Sequence, residues 1–155
     1  MVFLCKIITM EELNVETIKA GCYLVNTKDK TVAVVYREKQ KDYSFPKGHL
    51  DEGETIIECA IRETEEETKR KPKIIEEIPP LVEEYTTPKG EKCKCYMYYA
   101  VDIGKSDNAS WDTHTTKWIK FDEVENILTY ESLKKSWSIA KVNVQKILNA
   151  ELYKG

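Results

Sequence analysis

One segment of the chain carries both a start signal and a stop signal for a helix. Thr55 is followed three residues later by Glu58, the pattern of a capping box, in which each side chain accepts a hydrogen bond from the other residue's backbone N–H. Pro72 disfavours helical geometry at Lys71, because its ring crowds the residue before it. We therefore predict a helix from Thr55 to about Lys69, with basic residues at the negative end of its dipole.

Segments typical of strands lie on both sides of this helix. Residues 20–25 and 31–38 are rich in β-branched and aromatic residues and flank a polar turn, which predicts a hairpin. A second hairpin is predicted around the Thr-Pro-Lys-Gly turn at 87–90. The other predicted elements are a polar loop at 39–45, strands at 73–78 and 116–121, a short helix at 121–128 and a last helix from about Glu131 to Leu152. This order predicts the α/β (α+β) class, with a mixed β-sheet packed between helices.

Length and charge limit the classes of function. A chain of 155 residues is expected to form one domain, residues 1–155. Its net charge of −3 disfavours non-specific binding to nucleic acid, which needs a basic surface. No apolar stretch approaches the roughly 20 residues of a membrane span. The N-terminal stretch MVFLCKIITMEEL is interrupted by Lys6 and lacks a small-residue cleavage site, so we interpret it as a first strand or edge segment and not a signal peptide.

The cysteines favour reduced thiols. Their number is odd, and their spacing suits neither a tetrahedral zinc site nor a redox Cys-x-x-Cys motif. Cys93 and Cys95 alternate within a predicted strand, so both are expected to face the same side. A cytoplasmic location follows as an expectation. The cysteines are Cys5, Cys22, Cys59, Cys93 and Cys95.

The predicted helix carries a crowded set of carboxylates. Glu63, Glu66 and Glu67 are related by i, i+3 and i+4, so their side chains share one face and repel one another. Hard divalent cations with oxygen ligands, Mg²⁺ or Mn²⁺, stabilise such a set. A solvated acidic face is the alternative interpretation of the same pattern.

The spacing of polar residues extends upstream of this cluster. Five residues separate Gly48 from Glu54, and seven separate Glu54 from Arg62. The pattern resembles the Nudix hydrolase box, Gly-x5-Glu-x7-Arg-Glu-apolar-x-Glu-Glu-x-Gly-apolar, at six of its nine specified positions. The matching positions are Gly48, Glu54, Arg62, Glu63, Glu66 and Glu67.

The chain departs from the box at three positions. Thr64 stands at an apolar position, Lys69 at the terminal glycine and Arg70 at the last apolar position. The glycine of the box allows a left-handed backbone as the helix ends, and a lysine kept in that geometry costs about 1 kcal/mol. These differences concern the helix exit, since none of the three is a metal ligand in the family.

The resemblance implies a fold, a reaction and a set of ligands. The fold is a Nudix-type α/β/α sandwich, and the reaction is metal-dependent hydrolysis of a pyrophosphate linkage in a nucleotide by attack of water on phosphorus. Mg²⁺ or Mn²⁺ is the implied cofactor, a small nucleotide the implied partner, and neither a membrane nor a stable nucleic-acid partner is expected. The implied metal ligands are the Gly48 carbonyl, Glu63, Glu66 and Glu67, with Arg62 and Glu54 holding the cluster in place.

The family often uses a further carboxylate from outside the helix as a metal ligand or general base. Asp112, in a loop before a predicted strand, is the candidate. A plain loop aspartate is the alternative, and Glu83 and Glu84 are rivals for the role. His114 is left out of the catalytic set, because a lone loop histidine is more often structural or exposed.

The stretch FPKGHLDEGET resembles the corresponding part of dinucleoside polyphosphate hydrolases, which split diadenosine tetraphosphate. Tyr85 is then the candidate base platform, with packing as its alternative role. The candidate polyphosphate ligands are Lys47, Lys92 and Lys94. Tyr96, Tyr98 and Tyr99 are first of all strand formers, and at least one is expected in the core.

Other substrates and other classes stay open. ADP-ribose, a nucleoside triphosphate, an inositol pyrophosphate or a 5′-RNA end would use the same chemistry, and Pro79-Pro80 keeps the ADP-ribose alternative open. A catalytically silent Nudix binding module predicts loss of the clustered glutamates, which are all present. A plain acidic scaffold predicts no gain of stability from divalent cations.

Overall fold

A computed structural model describes residues 16–107 and 114–149 of the protein, and within them eight strands form one mixed sheet. The long strands β1 and β7 run parallel at its centre, and the other pairings are antiparallel. The strands are β1 Thr17–Asn26, β2 Thr31–Arg37, β3 Asp42–Ser44, β4 Lys47–His49, β5 Arg70–Ile74, β6 Leu81–Thr86, β7 Lys92–Lys105 and β8 Thr115–Lys120. The main path across the sheet is β3-β2-β1-β7-β5, with β4 on β1, β6 on β7 and β8 on β2.

Helices cover both faces of the sheet, as the predicted class requires. Helix α1, Ile56–Thr68, packs through Cys59 and Ala60 on the face that carries Ala20, Cys22 and Leu24. Helix α3 packs through its apolar stripe on the opposite face. A 3₁₀ turn at Phe121–Glu123 and a short helix α2, Val124–Ile127, precede α3, Glu131–Leu148. No helix in the described part of the chain is long and apolar enough to cross a membrane.

The helix start and the two hairpins agree with the predictions. Thr55 caps α1, and its capping box with Glu58 is complete, with N···O distances of 2.9 and 3.1 Å. The β1–β2 and β6–β7 pairings are the two predicted hairpins. Tyr99 is buried in the core, which meets the expectation for the tyrosine cluster. The four cysteines that the structure describes, Cys22, Cys59, Cys93 and Cys95, are buried free thiols, whereas Cys5 lies outside the described residues.

Several boundaries were predicted wrongly. Part of the predicted polar loop forms β3, Asp42–Ser44, and the short strand β4, Lys47–His49, was not predicted. Strand β3 forms a hairpin with the strand directly before it, β2, whereas β4 pairs with the more distant β1, and no local sequence pattern indicates that second pairing. The last helix is described as Glu131–Leu148, and its predicted end near Leu152 lies outside the described residues.

The exit of α1 keeps a left-handed backbone despite its lysine. Lys69 has φ 61° and ψ 20°, and its backbone N–H donates to the Glu65 carbonyl at 2.8 Å. The chain then enters β5, where Arg70 Nε donates to both Asp102 oxygens at 3.0 and 3.1 Å. The Ser106 hydroxyl donates to Glu65 at 2.5 Å. Contacts with the end of β7 therefore stabilise the left-handed backbone at Lys69, a conformation that glycine would adopt without strain.

We predict that Lys69→Gly raises the free energy of unfolding by about 0.5–1 kcal/mol, because glycine adopts a positive φ without the steric cost that lysine carries. Urea denaturation measures this difference. Lys71→Gly is the matched control, since Lys71 lies exposed in β5 without a positive φ and glycine there should lower stability. Equal destabilisation by both changes would contradict the account.

A buried ion pair closes the edge of the sheet at β3. Arg37 Nε and Nη2 each donate to one oxygen of Asp42 at 2.7 Å, and the Asp42 side chain is fully buried. The hydrogen bonds from Arg37 lower the pKa of Asp42 below its ordinary value, against the opposing effect of burial.

We predict that Asp42→Asn lowers the free energy of unfolding by about 1–2 kcal/mol at pH 7, a modest value for a charged pair because Arg37 is partly exposed. A lowered folded-state pKa stabilises the protein above the unfolded pKa, about 3.9, and this contribution disappears as pH falls through the folded value. Urea denaturation should therefore show that the free energies of unfolding of the wild type and Asp42→Asn differ less at pH 3 than at pH 7. A difference that is larger at pH 3 would contradict the assignment.

Candidate active site

Gly48 is positioned by pairing with the first strand. The ladder between β4 and β1 places it opposite Ala20, directly beneath α1. A Cβ atom on Gly48 would lie 2.1–2.3 Å from the carboxyl atoms of Glu63. The Glu63 carboxylate therefore rests against the glycine backbone, an approach that requires a residue without a side chain at position 48.

Arg62 joins the acidic residues of the loop to those of the helix. Its Nε and Nη2 donate to the two oxygens of Glu54 at 2.6 and 3.0 Å. Its Nη1 donates to Glu63 at 2.9 Å and to Glu66 at 3.3 Å, and Nη2 also donates to the His49 carbonyl at 2.9 Å. These hydrogen bonds lower the pKa of Glu54. One guanidinium thus fixes the loop and the helix relative to each other.

Opposing effects act on the pKa of Glu63. Burial raises its pKa, the hydrogen bond and charge of Arg62 oppose that effect, and the negative charge of Glu66 adds to it. A carboxylate that is both desolvated and beside another carboxylate is stabilised by any further positive charge.

The other glutamates of α1 divide into two groups. Glu66 remains 39% exposed, whereas Glu67 is buried at 5% and its backbone carbonyl accepts from the Thr116 hydroxyl at 3.1 Å. Glu65 contacts Ser106 and takes no part in the hydrogen bonds around Arg62 that the described residues show. Glu63 and Glu66 therefore meet at Arg62, Glu65 contacts Ser106 near the helix exit, and the assignment of Glu63, Glu66 and Glu67 as metal ligands stays a prediction.

The residues present fit the chemistry of a hard divalent cation. Carboxylate oxygens and a backbone carbonyl are the ligands that Mg²⁺ prefers, and the Glu63 carboxylate already lies against Gly48. In the described residues, no three His, Cys, Asp or Glu side chains are yet gathered around one point. Arg62 explains this, because its guanidinium engages Glu54, Glu63 and Glu66 and holds their oxygens around itself.

The contacts of Cys59 with Gly48 and Arg62 were not predicted from the sequence. Its Sγ lies 3.6 Å from the Gly48 carbonyl oxygen and 3.9 Å from Arg62 Nη2. Burial raises the pKa of this thiol to about 12, so it remains protonated near neutral pH. Its position one turn before Glu63 on the same helix was the available signal.

Tyr85 lies on the face of the sheet opposite α1, beside two lysines. The ammonium of Lys47 is 5.9 Å from the centre of its ring, and that of Lys19 is 5.7 Å away. Lys47 and Gly48 are adjacent in the chain, so neighbouring residues of β4 contact Tyr85 on one side and Glu63 on the other. Lys19 was not predicted, because its approach to Tyr85 depends on the pairing of both β1 and β6 with β7.

The structure divides the predicted substrate-binding set. Lys94 lies over the Tyr96 ring and forms an ion pair with Glu84 at 3.7 Å, on the face opposite Tyr85. Lys92 is exposed at the start of β7 and lines a groove of about 480 Å³ with Tyr85. Tyr85 and Lys92 therefore line one groove, and Lys47 lies near the Tyr85 ring. Lys92 and Lys94 are two residues apart on β7 and so share the strand face opposite Tyr85, but only Lys92 lies at the groove.

The predicted carboxylates outside the helix have different outcomes. Asp112 lies outside the described residues. Glu83 receives a hydrogen bond from the Ser136 hydroxyl, and Glu84 pairs with Lys94. The described contacts therefore direct both rivals away from the Arg62 cluster. His114 is half-buried immediately before β8.

The sequence matches a family model. The model described as NUDIX domain aligns with residues 15–140, which is most of the chain.

Two curated proteins are similar in sequence. The 8-oxo-(d)GTP phosphatase of Mycolicibacterium smegmatis is 30% identical over 99 residues, which cover 64% of this chain and 30% of the phosphatase. The asymmetrical bis(5′-nucleosyl)-tetraphosphatase of Rattus norvegicus is 28% identical over 92 residues, which cover 57% of this chain and 63% of that protein. The alignments thus span less than two thirds of either relative.

A solved structure shows the same fold. The NUDIX hydrolase of Nitrosomonas europaea superposes with a TM-score of 0.65 at 18% identity, covering 91% of this chain and 99% of that one. At this identity the likeness concerns the fold alone.

Proposed function

The chain belongs to the NUDIX family, and on that basis we propose that it hydrolyses a phosphoanhydride bond of a nucleotide with divalent cations, Mg²⁺ or Mn²⁺, held by Glu63, Glu66 and Glu67. The observation that carries the proposal is the contact of Glu63 and Glu66 with Arg62, with the Glu63 carboxylate beside the Gly48 backbone. When bound, the cations neutralise charge on the phosphate oxygens and activate the attacking water.

The chain's own residues have separate tasks in this reaction. Arg62 and Glu54 keep the glutamates oriented, because one fork of hydrogen bonds connects them. The Gly48 carbonyl contributes a further oxygen ligand. Asp112 is proposed to accept the proton of the water that attacks phosphorus. The bond between that phosphorus and its bridging oxygen then breaks, and the leaving nucleotide keeps that oxygen on its terminal phosphate.

Dinucleoside polyphosphates, such as diadenosine tetraphosphate, are the proposed substrate class. Support comes from the rat relative, a bis(5′-nucleosyl)-tetraphosphatase, and from the similar Pro-Lys-Gly-His stretch. Lys47 and Lys19 lie beside Tyr85, so cations and an aromatic face are available along one path from Gly48. Aromatic stacking contributes about 1–3 kcal/mol per base. Lys92 would meet the polyphosphate at the edge of the groove, whereas Lys94 does not line that groove.

A nucleoside triphosphate is the second candidate substrate. The M. smegmatis relative, an 8-oxo-(d)GTP phosphatase, favours it, and the same glutamates and the same reaction would serve. A catalytically silent binding module is disfavoured, because Arg62 and the glutamates of the box are all present and Arg62 donates to Glu54, Glu63 and Glu66.

Product analysis tests the substrate. The purified protein is incubated with Mg²⁺ and, separately, diadenosine tetraphosphate, ADP-ribose, nucleoside triphosphates and a 5′-triphosphorylated RNA. ATP and AMP released from diadenosine tetraphosphate are the expected products. Turnover of ADP-ribose alone would overturn the substrate class and retain the chemistry, whereas no turnover of any compound would contradict the proposed activity.

A further inference from the structure

Glu83 shares the face of its strand with the candidate base platform. Side chains alternate along β6, so Leu81, Glu83 and Tyr85 point to the same side of the sheet. Their cross-strand partners on β7 are Met97, Cys95 and Cys93, all buried. Glu83 is thus a carboxylate about 6.6 Å along the strand from Tyr85, on the face where Lys19 and Lys47 approach the tyrosine ring.

One contact from the opposite helix holds this carboxylate. The Ser136 hydroxyl, buried in α3, donates to Oε2 of Glu83. Within residues 16–107 and 114–149, no cation forms an ion pair with Glu83 and Ser136 is its only hydrogen-bond donor. The remaining oxygen, Oε1, is not among the buried side-chain atoms that lack a partner, so it is accessible to solvent and can accept a hydrogen bond from a ligand.

A carboxylate distinguishes between the purine bases, because it only accepts hydrogen bonds. Guanine presents two adjacent donors, N1–H and the N2 amino group, which match its two oxygens. Adenine presents one donor, the N6 amino group, beside an acceptor, N1. In the same pose N1 would face a carboxylate oxygen, and two acceptors repel each other because neither carries a proton. A bidentate contact of this kind discriminates between bases by about 5- to 150-fold.

We propose that Glu83 selects guanine as the base bound on Tyr85. The base stacks on the tyrosine ring, its Watson–Crick edge reaches Glu83, and Ser136 keeps the carboxylate in position. This inference rests on the proposed function, since it concerns the base of the nucleotide that the acidic cluster cleaves.

Binding and turnover are measured separately to test it. Calorimetry gives the Kd values of GDP and ADP without divalent cations, and kcat/KM is compared between the diguanosine and diadenosine tetraphosphates with Mg²⁺. The wild type should prefer guanine by about 5- to 150-fold in both measurements. Glu83→Gln should abolish or reverse the preference, because an amide offers one donor and one acceptor and so matches adenine. Glu84→Gln, on the opposite face of the same strand, should retain it.

The outcomes separate this inference from the proposed function. Preferential binding of GDP without turnover of either tetraphosphate would contradict the activity and support the role of Glu83. Equal constants for the two bases in the wild type would overturn the role of Glu83 and leave the activity intact. An unchanged preference in a folded Glu83→Gln protein, or its loss in Glu84→Gln, would also overturn it.

Discussion

Glu66→Gln is expected to reduce kcat by about 10³-fold or more, a loss of about 4 kcal/mol of transition-state stabilisation. Glutamine keeps the size of the side chain and removes the charge that binds a divalent cation. The Glu66 side chain is 39% exposed, more than those of Glu54 and Glu63, so the protein should tolerate the change without losing its fold. Steady-state hydrolysis of the best substrate from the product analysis, at saturating Mg²⁺, measures the effect.

Glu65→Gln is the matched control for that variant. The two residues are neighbours on α1, yet Glu65 contacts Ser106 at the helix exit and not Arg62. Its loss should lower stability and leave turnover near the wild-type rate. Equal activity of the Glu66→Gln and wild-type proteins would remove the basis for the assigned metal ligands.

Arg62→Lys should lower kcat/KM by about 10–100-fold, the usual effect of losing a residue that orients metal ligands. Lysine keeps the charge but cannot donate in a fork to Glu54 while also reaching Glu63 and Glu66. The glutamates would then keep their charges and lose their common orientation. Kinetics as a function of Mg²⁺ concentration should show a weaker apparent affinity for the metal.

Arg70→Lys provides the comparison for this change. Arg70 also donates to a carboxylate, that of Asp102, but it lies beyond the exit of α1. Its replacement should alter stability without changing the dependence on Mg²⁺. If both arginine variants showed the same metal dependence as the wild type, Arg62 would have only a structural role.

The sequence predicts the acidic helix well because its signals are local. Thr55 and Glu58 form the cap within one turn, and Glu63, Glu66 and Glu67 share a face through helical geometry alone. At the end of this helix Lys69 adopts a left-handed backbone that is ordinarily favourable only for glycine. The structure stabilises it through contacts with β7, which lies more than 30 residues further along the chain.

The substrate side could not be predicted to the same degree. Tyr85, Lys92 and Lys94 are close in sequence, yet alternation along β6 and β7 places Tyr85 and Lys94 on opposite faces. Strand β4 is only three residues long and exists through pairing with β1, so the approach of Lys47 to Tyr85 leaves no local pattern, and the approach of Lys19 depends on the pairing of both β1 and β6 with β7. Register between distant strands depends on the whole sheet.

A crystal soaked in Mn²⁺ tests the central claim most directly, because the anomalous signal of the metal locates it independently of the protein atoms. The account predicts at least one Mn²⁺ within about 2.5 Å of carboxylate oxygens of Glu63, Glu66 or Glu67, with the Gly48 carbonyl beside it. An anomalous map without a peak among these carboxylates, in a crystal that binds Mn²⁺ elsewhere, would contradict it.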